Sequence, residues 1–333
     1  MVQLSSIHLL FIARVLGGRI SYCERPWPTL ELFVPVSLLT RPLQFEFDRF
    51  FLRSFVLFWP LESSNVSLTV AIDAELNKTK QAAELNATLK DVFIPGGLKL
   101  TLLSESPYYR KGYDRQQLVM FWADNFTERE YIGFVDTDTA FSTYIDREDL
   151  FEDGKPVVNG KSGIMRGDHP SYLWTIGTYR TLGILEPFRC MSYFPVIIKT
   201  SHLKDIREFI ANRFNLMFDE AFYHNISTAE KSSYSQFHIM CTYLFTFKRD
   251  EYTWYVHSET PHWDGTTPAP LPFQDGNLSQ FTAYMRLPKP RVATHVRHRS
   301  KKNMVRAFPA LSRLYYCTYC SCRIAAAFFL NGV

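Results

Sequence analysis

The sequence predicts an α/β fold, with a mixed, mostly parallel sheet and helices on both faces. Three observations carry that expectation. Apolar runs of strand length recur at 32–36, 66–72, 98–103 and 131–135. Stretches with helical spacing of apolar residues separate them, and this alternation implies parallel strands joined by right-handed crossovers. The fourth run passes straight into two acids, Asp136 and Asp138. Ligands of an open parallel sheet bind beyond the carboxyl ends of its strands, which is where these acids fall.

The first run, LFVPV, contains Pro35. Proline has no N–H for a ladder, so it marks a strand end or an edge position. Residues 42–59 set Leu43, Phe47, Phe50, Phe51, Phe55 and Phe58 on one wide helical face. VSLTVAI at 66–72 is the second strand. Residues 77–92 are polar and rich in Ala, Lys, Glu and Leu, the composition of an exposed helix. Pro95-Gly96-Gly97 signals a turn into the strand LKLTLL at 98–103. Leu118, Phe121, Trp122 and Phe126 share a face of a helix over 113–126, and YIGFV at 131–135 completes the series.

The second half is less regular. Residues 155–167 read as a glycine-containing loop. MSYFPVIIK at 191–199 reads as a strand entering a helix near Ser201 or His202. That helix runs to about Phe218, with Leu203, Ile206, Ile210, Phe214 and Met217 on its buried face. A helix over 235–244, a strand over 252–256 and a proline-rich linker over 266–273 follow. There is no internal repeat.

A chain of 333 residues that is 46% hydrophobic and 16% aromatic can bury a large core and is neither disordered nor fibrous. Its net charge of +4 comes partly from a basic cluster at Arg291, Arg297, Arg299, Lys301 and Lys302. So small an excess does not indicate a nucleic-acid partner. Compartment is better marked. Six Asn-x-Ser/Thr sequons begin at Asn65, Asn77, Asn86, Asn125, Asn225 and Asn277. With eleven asparagines, and about one residue in seven Ser or Thr, chance gives one or two. The excess points to passage through a glycosylating lumen. Residues 7–16 (IHLLFIARVL) are apolar, interrupted by Arg14, and shorter than the ~20 residues of a membrane span. They read as a weak signal or anchor segment, or simply as an apolar N-terminal extension. Of the six cysteines, Cys317, Cys320 and Cys322 form CTYCSC, too little for a zinc site. In a lumenal chain, disulfide bonding is the expected cysteine role.

The acids carry the chemistry. In extended chain, residues i and i+2 point the same way, so Asp136 and Asp138 can face one ion. Mg²⁺ and Mn²⁺ are hard cations that take carboxylate oxygens and share their other positions with phosphate oxygens. Asp-x-Asp is common on solvated loops, and the strand end is what singles this one out.

The β/α series closing on an apolar strand and Asp-x-Asp resembles the GT-A glycosyltransferases, a Rossmann-like α/β fold. More narrowly, LFVPVS, the Phe-rich helix ending FWP, YIGFVDTDTAF, CMSYFPVIIK and SYSQFHIMCTYL resemble a little-characterised eukaryotic branch of nucleotide-diphospho-sugar transferases. The likeness spans roughly residues 32–299. It implies one domain over 29–300, with a nucleotide-binding half (29–141) and an acceptor half (142–300), followed by a divergent tail (301–333). It implies sugar transfer from a nucleotide-sugar donor, a UDP-sugar by default, to a glycan, protein or lipid acceptor in the Golgi or ER lumen or outside the cell.

The resemblance also implies a Mn²⁺ or Mg²⁺ cofactor. Asp138 matches the acid that binds the metal directly, and Asp136 the one that contacts metal, ribose or both. A late histidine often completes such sites, and His295 is the candidate, with His298 second. Arg297 or Lys301 would assist the leaving diphosphate. Val36 and Ser37, ending the first strand, are candidates for the base pocket. An inverting enzyme needs a general base, and Asp219 and Glu220 are the best placed by sequence order. A retaining enzyme needs none. Tyr172, Trp174, Tyr193, Phe194, Trp254, Tyr255 and Trp263 offer rings for sugar stacking on the acceptor side, although most aromatics in such a chain are core.

Two other classes meet the same motif. Haloacid-dehalogenase phosphatases also set Asp-x-Asp at a strand end, but near the N-terminus and with Thr or Val at the fifth position, where this chain has Ala140. A catalytically inactive nucleotide- or sugar-binding protein of the same fold is the stronger alternative.

Overall fold

The structure is a computed structural model. It describes residues 26–37, 47–59, 65–73, 83, 85, 87, 89, 97–103, 112–137, 139–141, 145–162, 171–188, 190, 194–227, 234–258 and 293–295. Residues 1–25 of the N-terminal extension expected over 1–28, the tail over 301–333 with CTYCSC, the proline-rich linker and Asp138 lie outside that set. Trp27, expected in the extension, is instead buried with the core.

The main sheet is built from β1 (Leu30–Ser37), β2 (Val66–Asp73), β3 (Leu98–Leu103), β4 (Tyr131–Phe134) and β8 (Val196–Lys199), in the order β3-β2-β1-β4-β8. The first four strands run parallel, and β8 pairs antiparallel to β4. The fold is thus α/β with a mixed, mostly parallel sheet, as the sequence led us to expect, and is compatible with a Rossmann-like fold. Leu30 through Val36 are all buried. Successive strand residues face opposite ways, so both faces of β1 are covered, as parallel sheets require.

Pro35 stands in the central strand without breaking it. Pairing of β1 with β4 stops at Phe33 opposite Phe134, while pairing with β2 continues to Ser37 opposite Asp73. Pro35 therefore lies two residues past the last β4 pair, and its missing N–H costs that ladder nothing. Its position is an edge locally, where β4 leaves β1.

Between β1 and β2, a π-helical turn (Phe47–Leu52) leads into α1 (Arg53–Phe58). Phe47, Phe51, Phe55 and Trp59, four residues apart, stack in series with ring centroids 5.4, 5.6 and 5.8 Å apart. The ring of Phe141, which ends β5 (Thr139–Phe141), lies against three of them, at 6.1 Å from Phe51, 6.5 Å from Phe55 and 5.3 Å from Trp59. The Phe141 N–H donates to Ser54 Oγ at 3.0 Å. The chain just past the acids is thereby fixed to the aromatic series.

In the crossover from β3 to β4, α2 (Gly112–Phe121) is shorter than expected, and a 3₁₀ turn (Ala123–Phe126) replaces its last turn. A bidentate ion pair holds that turn, with both Arg207 nitrogens 2.7 Å from the Asp124 carboxylate.

In the second half, α3 (Arg147–Leu150) precedes the hairpin of β6 (Phe151–Glu152) and β7 (Lys155–Ser162). β7 occupies residues expected to be loop. It pairs in parallel with β9 (Thr253–Ser258), from Val157 opposite Thr253 to Ser162 opposite Ser258. That distant pairing overrides the local glycine signal. α4 (Ser171–Leu182) ends at Gly183, whose φ of +69° suits glycine and where a Cβ would meet the Arg213 guanidinium at 2.5 Å.

Helix α5 (Thr200–Phe214) stops four residues before the expected end. Asn215 adopts a left-handed φ of 54°, and its N–H caps the Ala211 and Asn212 carbonyls. A short α6 (Phe218–Ala221), a π-helical turn (Phe222–Ser227), α7 (Gln236–Phe247) and a 3₁₀ turn (Arg249–Glu251) complete this half. A disulfide joins Cys190 to Cys241 of α7, with Cα atoms 6.4 Å apart. β10 (Ala293–His295) pairs antiparallel with β5.

Replacing Phe55 by Ala removes the middle of the stacked series from a fully buried site. We expect a loss of about 3–5 kcal/mol in urea unfolding. The half-buried Phe58→Ala should lose clearly less.

Candidate functional site at the carboxyl ends of β1 and β4

The strand order puts a topological switch between β1 and β4. The crossovers from β1 to β2 to β3 move one way across the sheet, and the next returns to the far side of β1. Crevices at such points, outside the carboxyl ends of the strands, are where open α/β sheets take ligands. Val36 and Ser37 end β1 there, and Val135 and Asp136 follow β4. The last link between the strands is the Val135 N–H to the Phe33 carbonyl, at 3.3 Å.

Asp136 is nearly buried, at 9% exposure. Gln116 of α2 donates from Nε2 to Asp136 Oδ1 at 3.4 Å. The extended chain expected through both acids does not persist. The Thr139 N–H donates to the Asp136 carbonyl at 3.0 Å, so residues 136–139 form a turn from β4 into β5. Asp138 lies outside the described residues.

β10 returns to the same turn. Its register sets Ala293 opposite Phe141, Thr294 opposite Ala140 and His295 opposite Thr139. A histidine more than 150 residues from the acids in sequence is therefore backbone neighbour to the residue after Asp138. Among the described residues, which do not include Asp138, no three His, Cys, Asp or Glu side chains are grouped to hold a metal. Carboxylates nonetheless suit Mn²⁺ or Mg²⁺, and an added imidazole is better matched to Mn²⁺ than to Mg²⁺, which favours oxygen donors alone. His298, Arg297 and Lys301 are outside the described residues.

Val36 is buried at 1% exposure, so its side chain is packed rather than open. Ser37 is opposite Asp73, which closes β2. Sequence reasoning passed over Asp73, although an acid directly after an apolar strand is the signal that drew attention to Asp136.

Asp219 and Glu220 are not brought to this end of the sheet. The α2 helix begins over the carboxyl ends, where Arg115 donates to the Leu103 carbonyl at 3.0 Å. It ends toward the amino ends, where Lys99 at the start of β3 donates to the Phe126 carbonyl at 2.9 Å. Asp219 accepts from Trp122 Nε1 at 2.8 Å, just past the end of α2, and Glu220 accepts from the Met217 N–H at 3.4 Å. Each has a local structural partner, well away from Gln116 and Asp136.

The first turn of α7 lies closer. The Gln236 N–H donates to Gln117 Oε1 at 3.0 Å, and the Tyr234 hydroxyl donates to Asp114 Oδ1 at 2.7 Å. Phe237 meets Phe134 and Phe194 edge-on, at 6.3 and 5.6 Å. In the same turn His238 Nδ1 stands 2.5 Å from Glu186 Oε1, both side chains almost fully buried. Thr175 donates to the other Glu186 oxygen at 2.8 Å, and Trp174 lies edge-on to the imidazole. Nothing local in SYSQFHIM distinguished His238 from an ordinary core histidine. Of the other aromatic candidates, Trp254 packs on Phe188 and Phe245 in the core, and Tyr255 hydrogen-bonds Glu152. The side chains of Tyr172, Tyr193 and Trp263 lie outside the described residues.

Gln116 and Gln117 are adjacent but differ in what they hold. Gln117→Leu strips a buried N–H of its acceptor and should cost about 1–3 kcal/mol in urea unfolding. Gln116→Ala, losing one long bond of a half-buried side chain, should cost less than about 1 kcal/mol.

A scan of the chain against models of known protein families finds no match, and a search of curated proteins likewise finds none.

Proposed function

We propose that this chain is a metal-dependent glycosyltransferase of GT-A type, moving a sugar from a nucleotide-sugar donor, by default a UDP-sugar, to a glycan, protein or lipid acceptor. One observation carries the proposal: β5 and β10 bring the turn of Asp136 and the backbone of His295 together at the β1/β4 switch point. The resemblance of YIGFVDTDTAF to the GT-A strand and acidic pair supports it. So does the Cys190–Cys241 disulfide, which fits a lumenal site of action.

Asp136, Asp138 and His295 would hold a Mn²⁺ or Mg²⁺ ion. Bound there, the ion would neutralise charge developing on the departing nucleoside diphosphate. Asp136 orients its carboxylate with help from Gln116, and the backbone at the end of β1 would lie beside the nucleotide, with the Val36 side chain packed beneath it.

A second reading keeps the binding site and drops the reaction. It is favoured by the places of Asp219 and Glu220, which deny an inverting mechanism its expected base.

Melting of the full chain with UDP-, GDP- and CMP-sugars, each with and without Mn²⁺, tests the donor site. We expect one nucleotide to raise the melting temperature by roughly 4 °C at ~100 times its Kd, only with Mn²⁺. Asp138→Ala should abolish the shift. No shift with any donor, from folded protein, sinks the proposal. A shift without donor turnover under any acceptor selects the inactive binder.

A further inference from the structure

Two of the six sequons have described side chains, and the fold treats them in opposite ways. Asn65 is half-buried where the chain enters β1 and β2. Its Nδ2 donates to the Trp27 carbonyl at 2.7 Å, and its own carbonyl accepts the Leu30 N–H at 2.9 Å. The hydroxyl of Ser67, third residue of that sequon, is buried and donates to Glu31 Oε2 at 2.5 Å. A sugar on Asn65 would replace one amide hydrogen and press a bulky branch into the shared start of two adjacent strands. Asn125 instead lies exposed on the 3₁₀ turn after α2, anchored through its backbone N–H to the Trp122 carbonyl at 3.0 Å. That turn is at the amino ends of the strands, so a branch on it projects away from the ligand crevice.

A separate observation points to the compartment. Cys190 and Cys241 are both buried and joined as a disulfide across 51 residues. Such bonds form during folding in an oxidising lumen, which is also where asparagine is glycosylated.

We infer that Asn125 carries an N-linked glycan and that Asn65, despite its sequon, carries none in the folded protein, because a chain modified there before folding cannot close the shared start of β1 and β2 around the branch. The inference rests on the lumenal compartment of the proposed function, not on its transferase activity. The donor is an oligosaccharide on a polyprenyl diphosphate. A bond forms from Asn125 Nδ2 to the anomeric carbon, the bond from that carbon to the diphosphate oxygen breaks with its electrons, and the amide loses one proton. The sequon reacts in the extended nascent chain, before the Thr127 hydroxyl takes up its native bond to Glu31.

The test is peptide mass spectrometry of the full chain isolated from eukaryotic cells. Enzymatic deglycosylation in heavy-oxygen water marks each occupied asparagine as a labelled aspartate. We expect the label at Asn125 and not at Asn65. Asn125→Gln should remove one glycan-sized step on a gel and leave the melting temperature unchanged. Asn65→Gln should remove no step and lower melting by about 2–4 °C. An unlabelled Asn125 peptide, or a labelled Asn65 peptide, overturns the inference. If no sequon is labelled and Cys190 and Cys241 react as free thiols, the lumenal compartment falls with it. Donor-dependent melting would stand or fall separately.

Discussion

Phe141 lies against Phe51, Phe55 and Trp59, and that contact fixes more of this protein than any other. The stacked series is set by a four-residue spacing that only a helical segment can keep in line. Its rings are fully buried, so their positions are settled by close packing. Because Phe141 belongs to that packing, β5 cannot slide, and the turn between Asp136 and Thr139 is held at both ends. Ser54 adds a hydrogen bond on the same side, accepting from the Phe141 N–H while donating to the Phe51 carbonyl. A segment of three strand residues thus gains a firm position from a helix almost ninety residues earlier.

The crevice follows from the same constraint. β4 stays with β1 only as far as Phe134 and then turns toward the aromatic series, while β1 goes on beside β2. The two strands part at the point where the crossovers reverse direction. Pro35 fits the parting, since β4 no longer pairs with β1 there and no ladder bond needs the N–H that proline lacks. β10, adding itself to β5, carries His295 to the same place. This end of the sheet is therefore assembled from three separate stretches of chain, each with its own structural reason to be there.

The sheet was largely legible in the sequence because its strands are apolar on both faces and flanked by helices of clear period. The acids were legible for the same reason, as charge directly after a buried strand. What escaped was set by distant partners. β7 looks like loop until β9 pairs with it, and α5 looks longer until Asn215 adopts a left-handed conformation that ends it. Asp219 and Glu220 seemed free for chemistry because their local sequence gives no hint of Trp122 reaching across. The Glu186–His238 pair was invisible, since a buried carboxylate and imidazole are brought together by tertiary packing of α7 alone. The pairing of Cys190 with Cys241 was equally beyond spacing arguments.

We propose that this protein takes a metal-bound diphosphate at the β1/β4 switch point, beside Asp136. Anomalous diffraction from crystals grown with Mn²⁺ and a nucleoside diphosphate tests it most directly. We expect one strong manganese peak beside the Asp136 turn and the His295 end of β10, with phosphate density against it. Nucleotide bound elsewhere, or a manganese peak remote from both residues, would contradict it.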